Sequence, residues 1–130
     1  MATLLEAKPY KIIKSQLKKE EKICIAFCND CPNICELGKE KAKQVLNKLE
    51  KNGFNVDNIY SVHLGCLYDH VKTQKSLKGK TIIVWGCDSY VYNLKRQFRK
   101  QKVIPALNTV GLIVWDAKGK IHLVKEYKQQ

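Results

Sequence analysis

Apolar positions along the chain fall alternately into short runs and helical stripes. "KICIAF" is a short apolar run of the kind that forms a buried strand, and it ends at Cys28. Asp30 can cap a helix with Pro32 in its first turn, running through "CPNICELGKEKAKQVLNKLEKNG". Ile34, Ala42, Val45, Leu46 and Leu49 make the apolar stripe of that helix, and Gly53 stops it. "NIYSVHLGC" reads as a second strand, followed by a weaker helix from Asp69 to Leu77 and an "LKGK" turn. "TIIVWGC" is the third strand and the clearest; Asp88 or Ser89 then caps a helix that turns Val91, Leu94 and Phe98 inward. "KVIPALN" is a fourth strand. The closing stretch, residues 111–127, alternates around an Asp-Ala-Lys-Gly turn and predicts a β-hairpin. At the other end, Tyr10, Ile13 and Leu17 recur at helical spacing among Lys11, Lys14, Lys18 and Lys19, with Pro9 before them, so residues 1–21 are expected to form a short amphipathic helix.

Strands alternating with helices predict an α/β fold: a parallel Rossmann-like or flavodoxin-like sheet with right-handed crossovers and flanking helices. A chain of 130 residues with no internal repeat fits one domain, residues 1–130, able to bury a core without disulfides. No G-x-G-x-x-G follows a strand and no G-x-x-x-x-G-K-S/T occurs, so a dinucleotide or nucleoside triphosphate is not indicated.

The chemistry lies in six cysteines, four of them within "CIAFCNDCPNIC". Cys28, Cys66 and Cys87 are each expected where a strand turns into a helix. In an open α/β sheet such ends line one edge, where ligands bind, with neighbouring strands roughly 4.8 Å apart. Three sulfurs can therefore converge there, and Cys31, one turn into the first long helix, can be the fourth. Cys35 stands four residues after Cys31, placed to reach the site or to border the core stripe. Cys24 lies about 13 Å back along its strand and reads as a small core residue.

Four converging thiolates bind zinc or an iron–sulfur cluster. Only "CNDC" is a paired knuckle of the zinc-ribbon kind, and single cysteines at several strand ends favour a cluster, with 4Fe–4S ahead of 2Fe–2S. A rival use of the same residues is thiol redox chemistry at Cys28 and Cys31, a C-x-x-C at a strand-to-helix junction. His63, inside a strand, and His122, inside the hairpin, read as structural or exposed, whereas His70, four residues after Cys66, could replace a ligand. Trp85 and Trp115 are expected in the core. Tyr90 and Tyr92 are expected to pack their helix or to shield a cluster from water.

Neither a signal peptide nor an apolar run long enough to span a bilayer is visible, so the chain reads as cytoplasmic, where thiols stay reduced and favour metal or redox use. The net charge is +12, from 22 Lys and 2 Arg against 12 acids. That excess suits an acidic partner, protein or nucleic acid, but the scarcity of Arg speaks against base and phosphate readout.

With "CNDCPNIC" followed by Gly38, the "GC" at Cys66, "VWGC" at Cys87 and "KVIPALNT" before the hairpin, the chain resembles the C-terminal domain family of methylenetetrahydrofolate reductase. These are small cysteine-rich domains or subunits beside a flavin-bearing reductase. The arrangement is also similar, more weakly, to the delta subunit of methyl-viologen-reducing hydrogenase. The resemblance implies that Cys28, Cys31, Cys35, Cys66 and Cys87 match the family's metal-site cysteines, holding zinc or an iron–sulfur cluster. It implies an accessory role, electron transfer with a partner oxidoreductase subunit that carries flavin, and no catalysis by this chain alone. The alternatives are a zinc-stabilised basic module that engages nucleic acid or an acidic protein, and a thiol oxidoreductase.

Overall fold

The structure, a computed structural model, describes residues 2–127. It is mixed α/β, with a four-stranded parallel sheet and a three-stranded antiparallel sheet. The parallel sheet holds β2 (Lys22–Cys28), β3 (Asn55–Val62), β4 (Thr81–Trp85) and β5 (Val103–Pro105), in the spatial order β3-β2-β4-β5. The antiparallel sheet is ordered β1 (Ala2–Ala7), β6 (Leu107–Trp115), β7 (Ile121–Glu126).

β2 is the central strand, and all its residues but Lys22 are buried, which is why it reads as a continuous apolar run. Its odd-numbered side chains, with Ile83, Trp85 and Ile104, meet α3 (Lys39–Lys51) through Ala42, Leu46 and Leu49. Ile13 and Leu17 close the same cluster, joined by Leu5 and Leu107 from the antiparallel sheet. On the opposite face Cys24, Ala26, Ile82 and Val84 pack on α5 (Asp88–Gln97) through Tyr90, Val91 and Leu94, with Val71 and Leu77 beside them. Val71 ends α4 (Tyr68–Val71), and Leu77 ends a single 3-10 turn, so the weak helix expected over 69–77 is two short pieces. No helix among the described residues is long and apolar enough to cross a membrane.

The helix expected over residues 1–21 is replaced by a strand and a short helix. Residues Ala2–Ala7 form β1, and only Tyr10–Ser15 are helical (α1). "ATLLEA" is a good helix former by composition, but pairing with β6, from Ala2 opposite Ile113 to Ala7 opposite Leu107, decides its conformation and buries Ala2 and Leu5. Met1 lies outside the described residues.

The long first helix is also broken. α2 is only Cys31–Ile34, and α3 starts anew after Gly38. Glu36 adopts a left-handed conformation (φ 59°) while Leu37 N–H returns to the Pro32 carbonyl at 2.8 Å and Glu36 N–H to that of Asn33 at 3.3 Å. This is the hydrogen-bond pattern of a Schellman stop without its usual glycine.

"KVIPALN" likewise divides. β5 pairs with β4 as far as Pro105, and from Leu107 the chain joins the other sheet as β6. The hairpin stands, with β6 starting four residues before the expected boundary. Its turn is held by Asp116, whose Oδ1 accepts the Lys118 and Lys120 N–H groups at 2.9 Å each. β7 is exposed throughout, and Trp115, expected in the core, is 41% exposed because it lies in the outermost part of the hairpin; Trp85 is buried as expected.

Candidate metal centre

The order β3-β2-β4-β5 reverses direction at β2, so the carboxyl ends of β2 and β4 flank the point where the first crossovers diverge. Cys28 is the last residue of β2, Cys31 the first of α2, Cys35 the residue that closes α2, and Cys87 the residue that precedes α5. Cys87 thus holds the capping position expected of Asp88 or Ser89. Cys66 is less tightly placed: β3 ends at Val62, and the thiol sits four residues further on, exposed, in the loop before α4. Cys24 is fully buried in the core, as its strand position suggests.

Two "GC" loops fold around one aromatic ring. A Cβ added at Gly65 would lie 2.6 Å from the Tyr90 ring, and one at Gly86 would lie 2.7 Å from it and 3.3 Å from the Cβ of Cys28. Glycine at both positions lets the loops after β3 and β4 close on Tyr90, with Cys87 packed against the cluster that holds Cys28, and Cys66 near Cys87 and Cys31. The Tyr90 hydroxyl donates to the Gln74 side chain, and Asn93 Nδ2 donates to the Gly65 carbonyl at 3.0 Å. Tyr92, by contrast, is 67% exposed.

Asp30 ties the β3 loop to the β2 end. It makes no side-chain cap to α2; instead its carboxylate accepts the Leu64 N–H at 2.6 Å and meets His63 Nδ1 at 3.1 Å. Leu64 has a left-handed backbone (φ 52°), a conformation this carboxylate helps to hold. The Cys28 thiol donates to the same carboxylate at 3.6 Å. His63 lies just beyond β3 rather than within it, and His70 Nδ1 faces the His63 carbonyl at 2.6 Å. His122 pairs with Asp116 at 2.8 Å on the exposed hairpin.

Backbone N–H groups point at the sulfurs. Thr3 N–H reaches Cys31 Sγ at 3.5 Å and Leu5 N–H reaches Cys35 Sγ at 3.3 Å, while the Cys35 thiol donates to the Thr3 carbonyl at 3.4 Å. Alternate residues on the free edge of β1 therefore bond to two cysteines of α2. Burial pushes the Cys28 thiol up to about 11, although the N–H groups of Gly65 and Asp30 pull it down. Burial raises Cys35 too, against the Leu5 N–H. Cys66 is raised by partial desolvation first, then by the neighbouring charges of Cys87, Cys31 and Asp30.

The five candidates thus share one edge, but not one ready-made cage. Cys31 and Cys35 meet at Thr3; Cys66 feels Cys87 and Cys31; Cys28 sits beneath Gly86. Among the described residues, no three His, Cys, Asp or Glu side chains stand close enough together to hold a metal ion as placed. Beside Cys87 opens a cleft of about 590 Å³, walled by Thr3, Lys8, Ser89, Asn108 and Thr109. Sequence reasoning missed Thr3 and Leu5 as parts of this edge, gave Asp30 only a capping role, and named Tyr90 without its contact to both glycines. The repeated "GC" dipeptides were the one visible hint, since each glycine marks a close approach.

No family model, no curated protein and no solved structure matches the chain.

Proposed function

We propose that the chain is an accessory metal-binding protein whose cysteine-ligated centre passes electrons to or from a partner oxidoreductase. Cys28, Cys31, Cys66 and Cys87 are the proposed ligands, with Cys35 in reserve. The observation that supports this reading is that four thiols on three chain segments, Cys28 and Cys31 at the β2–α2 junction, Cys66 in the loop after β3 and Cys87 after β4, stand at or beyond the carboxyl ends of three adjacent parallel strands, where the strand order reverses.

The donor set suits an iron–sulfur cluster, with zinc as the alternative, because it is all sulfur and His70 is engaged elsewhere. Burial pushes the Cys28 thiol up to about 11, so it keeps its proton until a cation displaces it and is a poor nucleophile, which speaks against direct disulfide chemistry at Cys28. Such a group supplies one-electron exchange when bound. The chain's own contribution is the second shell: N–H groups of Thr3, Leu5, Gly65 and Asp30 directed at sulfur stabilise thiolate charge. Cys66, on an exposed loop tethered by Asp30 at one end and α4 at the other, would be the most exposed of the four ligands.

The partner proposed from the resemblance is a flavin-bearing subunit of the methylenetetrahydrofolate reductase kind, in the cytoplasm, with this chain not catalytic alone. Absorption spectroscopy with iron, sulfide and zinc analysis on protein purified without oxygen tests the reading. A brown protein bleached by dithionite is expected. A colourless protein with one zinc per chain would remove electron transfer, and a protein free of both metals would remove the metal centre.

A further inference from the structure

Both arginines of the chain line one groove at the end of α5 away from Cys87. Arg96 and Arg99 share it with Lys78, Lys100, Phe98 and Gln101, around a volume of about 550 Å³. The ten-residue helix α5 runs from the cysteine edge into the groove, about 15 Å along its axis. Four cations and no carboxylate line the groove, and among the described residues none of the four is in an ion pair. The nearby Lys80 and Lys102 are different: Asp57 and Glu21 neutralise them. Offsetting the α5 dipole accounts for Arg96, but not for Lys78 on another segment or for Arg99 and Lys100 beyond the helix end.

The groove is also built. Gln101 Nε2 donates to the Leu77 and Lys80 carbonyls at 2.7 Å each, and its Oε1 accepts the Gly79 N–H at 3.0 Å. One side chain thus clamps the turn that carries Lys78 against the residues following α5. The Arg96 guanidinium carbon lies over the Tyr68 ring, 4.1 Å from its centroid, and the Tyr68 hydroxyl donates to Gln97 at 2.7 Å. A guanidinium paired with an aromatic ring, with Phe98 in the same groove, offers bases a stacking partner, whereas an acidic peptide would use only the charge.

We propose that this groove binds single-stranded nucleic acid, with Lys78, Arg99 and Lys100 on backbone phosphates and Arg96 on its tyrosine as a stacking platform. Nothing in this proposal depends on the cysteines or on a metal. The test is fluorescence anisotropy of a labelled single-stranded oligonucleotide titrated with the full chain over a range of salt. Loss of Arg96 and Arg99 together (R96A/R99A) is expected to weaken binding roughly tenfold and to lower the salt slope by about 0.7, the share of the one phosphate contact made by Arg99. K41A/K43A on α3 removes the same charge elsewhere and is expected to leave affinity within about twofold. R96K/R99K keeps the charge and should still lose affinity; it replaces the alanine pair if circular dichroism shows that pair unfolded. Equal weakening by K41A/K43A, or no weakening by either arginine variant, overturns the proposal. So does a poly-glutamate peptide that binds in the groove while the oligonucleotide does not, since the partner would then be an acidic protein.

Discussion

Cys24 and Cys28 lie on one strand, four residues apart, yet only the second belongs to the edge. Burial pushes the Cys24 thiol from 9.0 up to about 12, mainly by desolvation, so the folded state holds its proton more tightly than the unfolded chain does. Its contribution to stability is complete below the unfolded value near 9 and is lost as pH rises toward 12, at about 1.4 kcal/mol per pH unit. Cys24→Ala is expected to flatten the alkaline limb of a urea-denaturation series relative to wild type; parallel limbs would mean the thiol is solvated in the native state. Tyr90 is the second test at this scale. Its hydroxyl donates to a buried Gln74, so Tyr90→Phe should cost about 1–3 kcal/mol by leaving that acceptor unpaired. A denaturation midpoint unchanged from wild type would show that Gln74 finds another donor.

Loops and strands decide what these residues can reach. Gly65 and Gly86 are needed because the Tyr90 ring occupies the space of their absent side chains. Gly86→Ala should therefore destabilise the chain by about 1–3 kcal/mol through overpacking and loosen Cys87 from Cys28, read as a lower melting temperature and lower metal retention. Asp30→Ala should act on the neighbouring loop, freeing Leu64 and Cys66, and lower metal affinity by roughly 10- to 100-fold with little change in secondary structure; unchanged affinity would separate Asp30 from the site.

The parallel strands were legible because β2 and β4, buried on both faces, appear as apolar runs ending in cysteine. β1 was not: six residues of helix-forming composition become a strand only because β6, more than a hundred residues later, offers an edge. For the same reason the N–H bonds from Thr3 and Leu5 to sulfur could not be foreseen. The break at Glu36 was hidden too, since the usual glycine of a helix stop is missing there. The "HLGC" context predicts a strand end at Cys66, but β3 stops at Val62 and the left-handed Leu64 lies in the loop between strand and thiol.

At the scale of the molecule the two ends of α5 face different chemistry. Its amino end carries Cys87 and the thiol edge; beyond its carboxyl end lies the unpaired cationic groove. The net charge of +12 is therefore not only a solvating coat, because part of it is gathered where, among the described residues, no acid pairs with it. The central claim concerns the other end, and metal stoichiometry in cysteine variants tests it most directly. Protein purified without oxygen should carry the same metal per chain in wild type and Cys24→Ala, and lose most of it in Cys66→Ser and Cys87→Ser while remaining folded by circular dichroism. Full metal content in both serine variants would contradict a centre assembled across the carboxyl edge of the sheet.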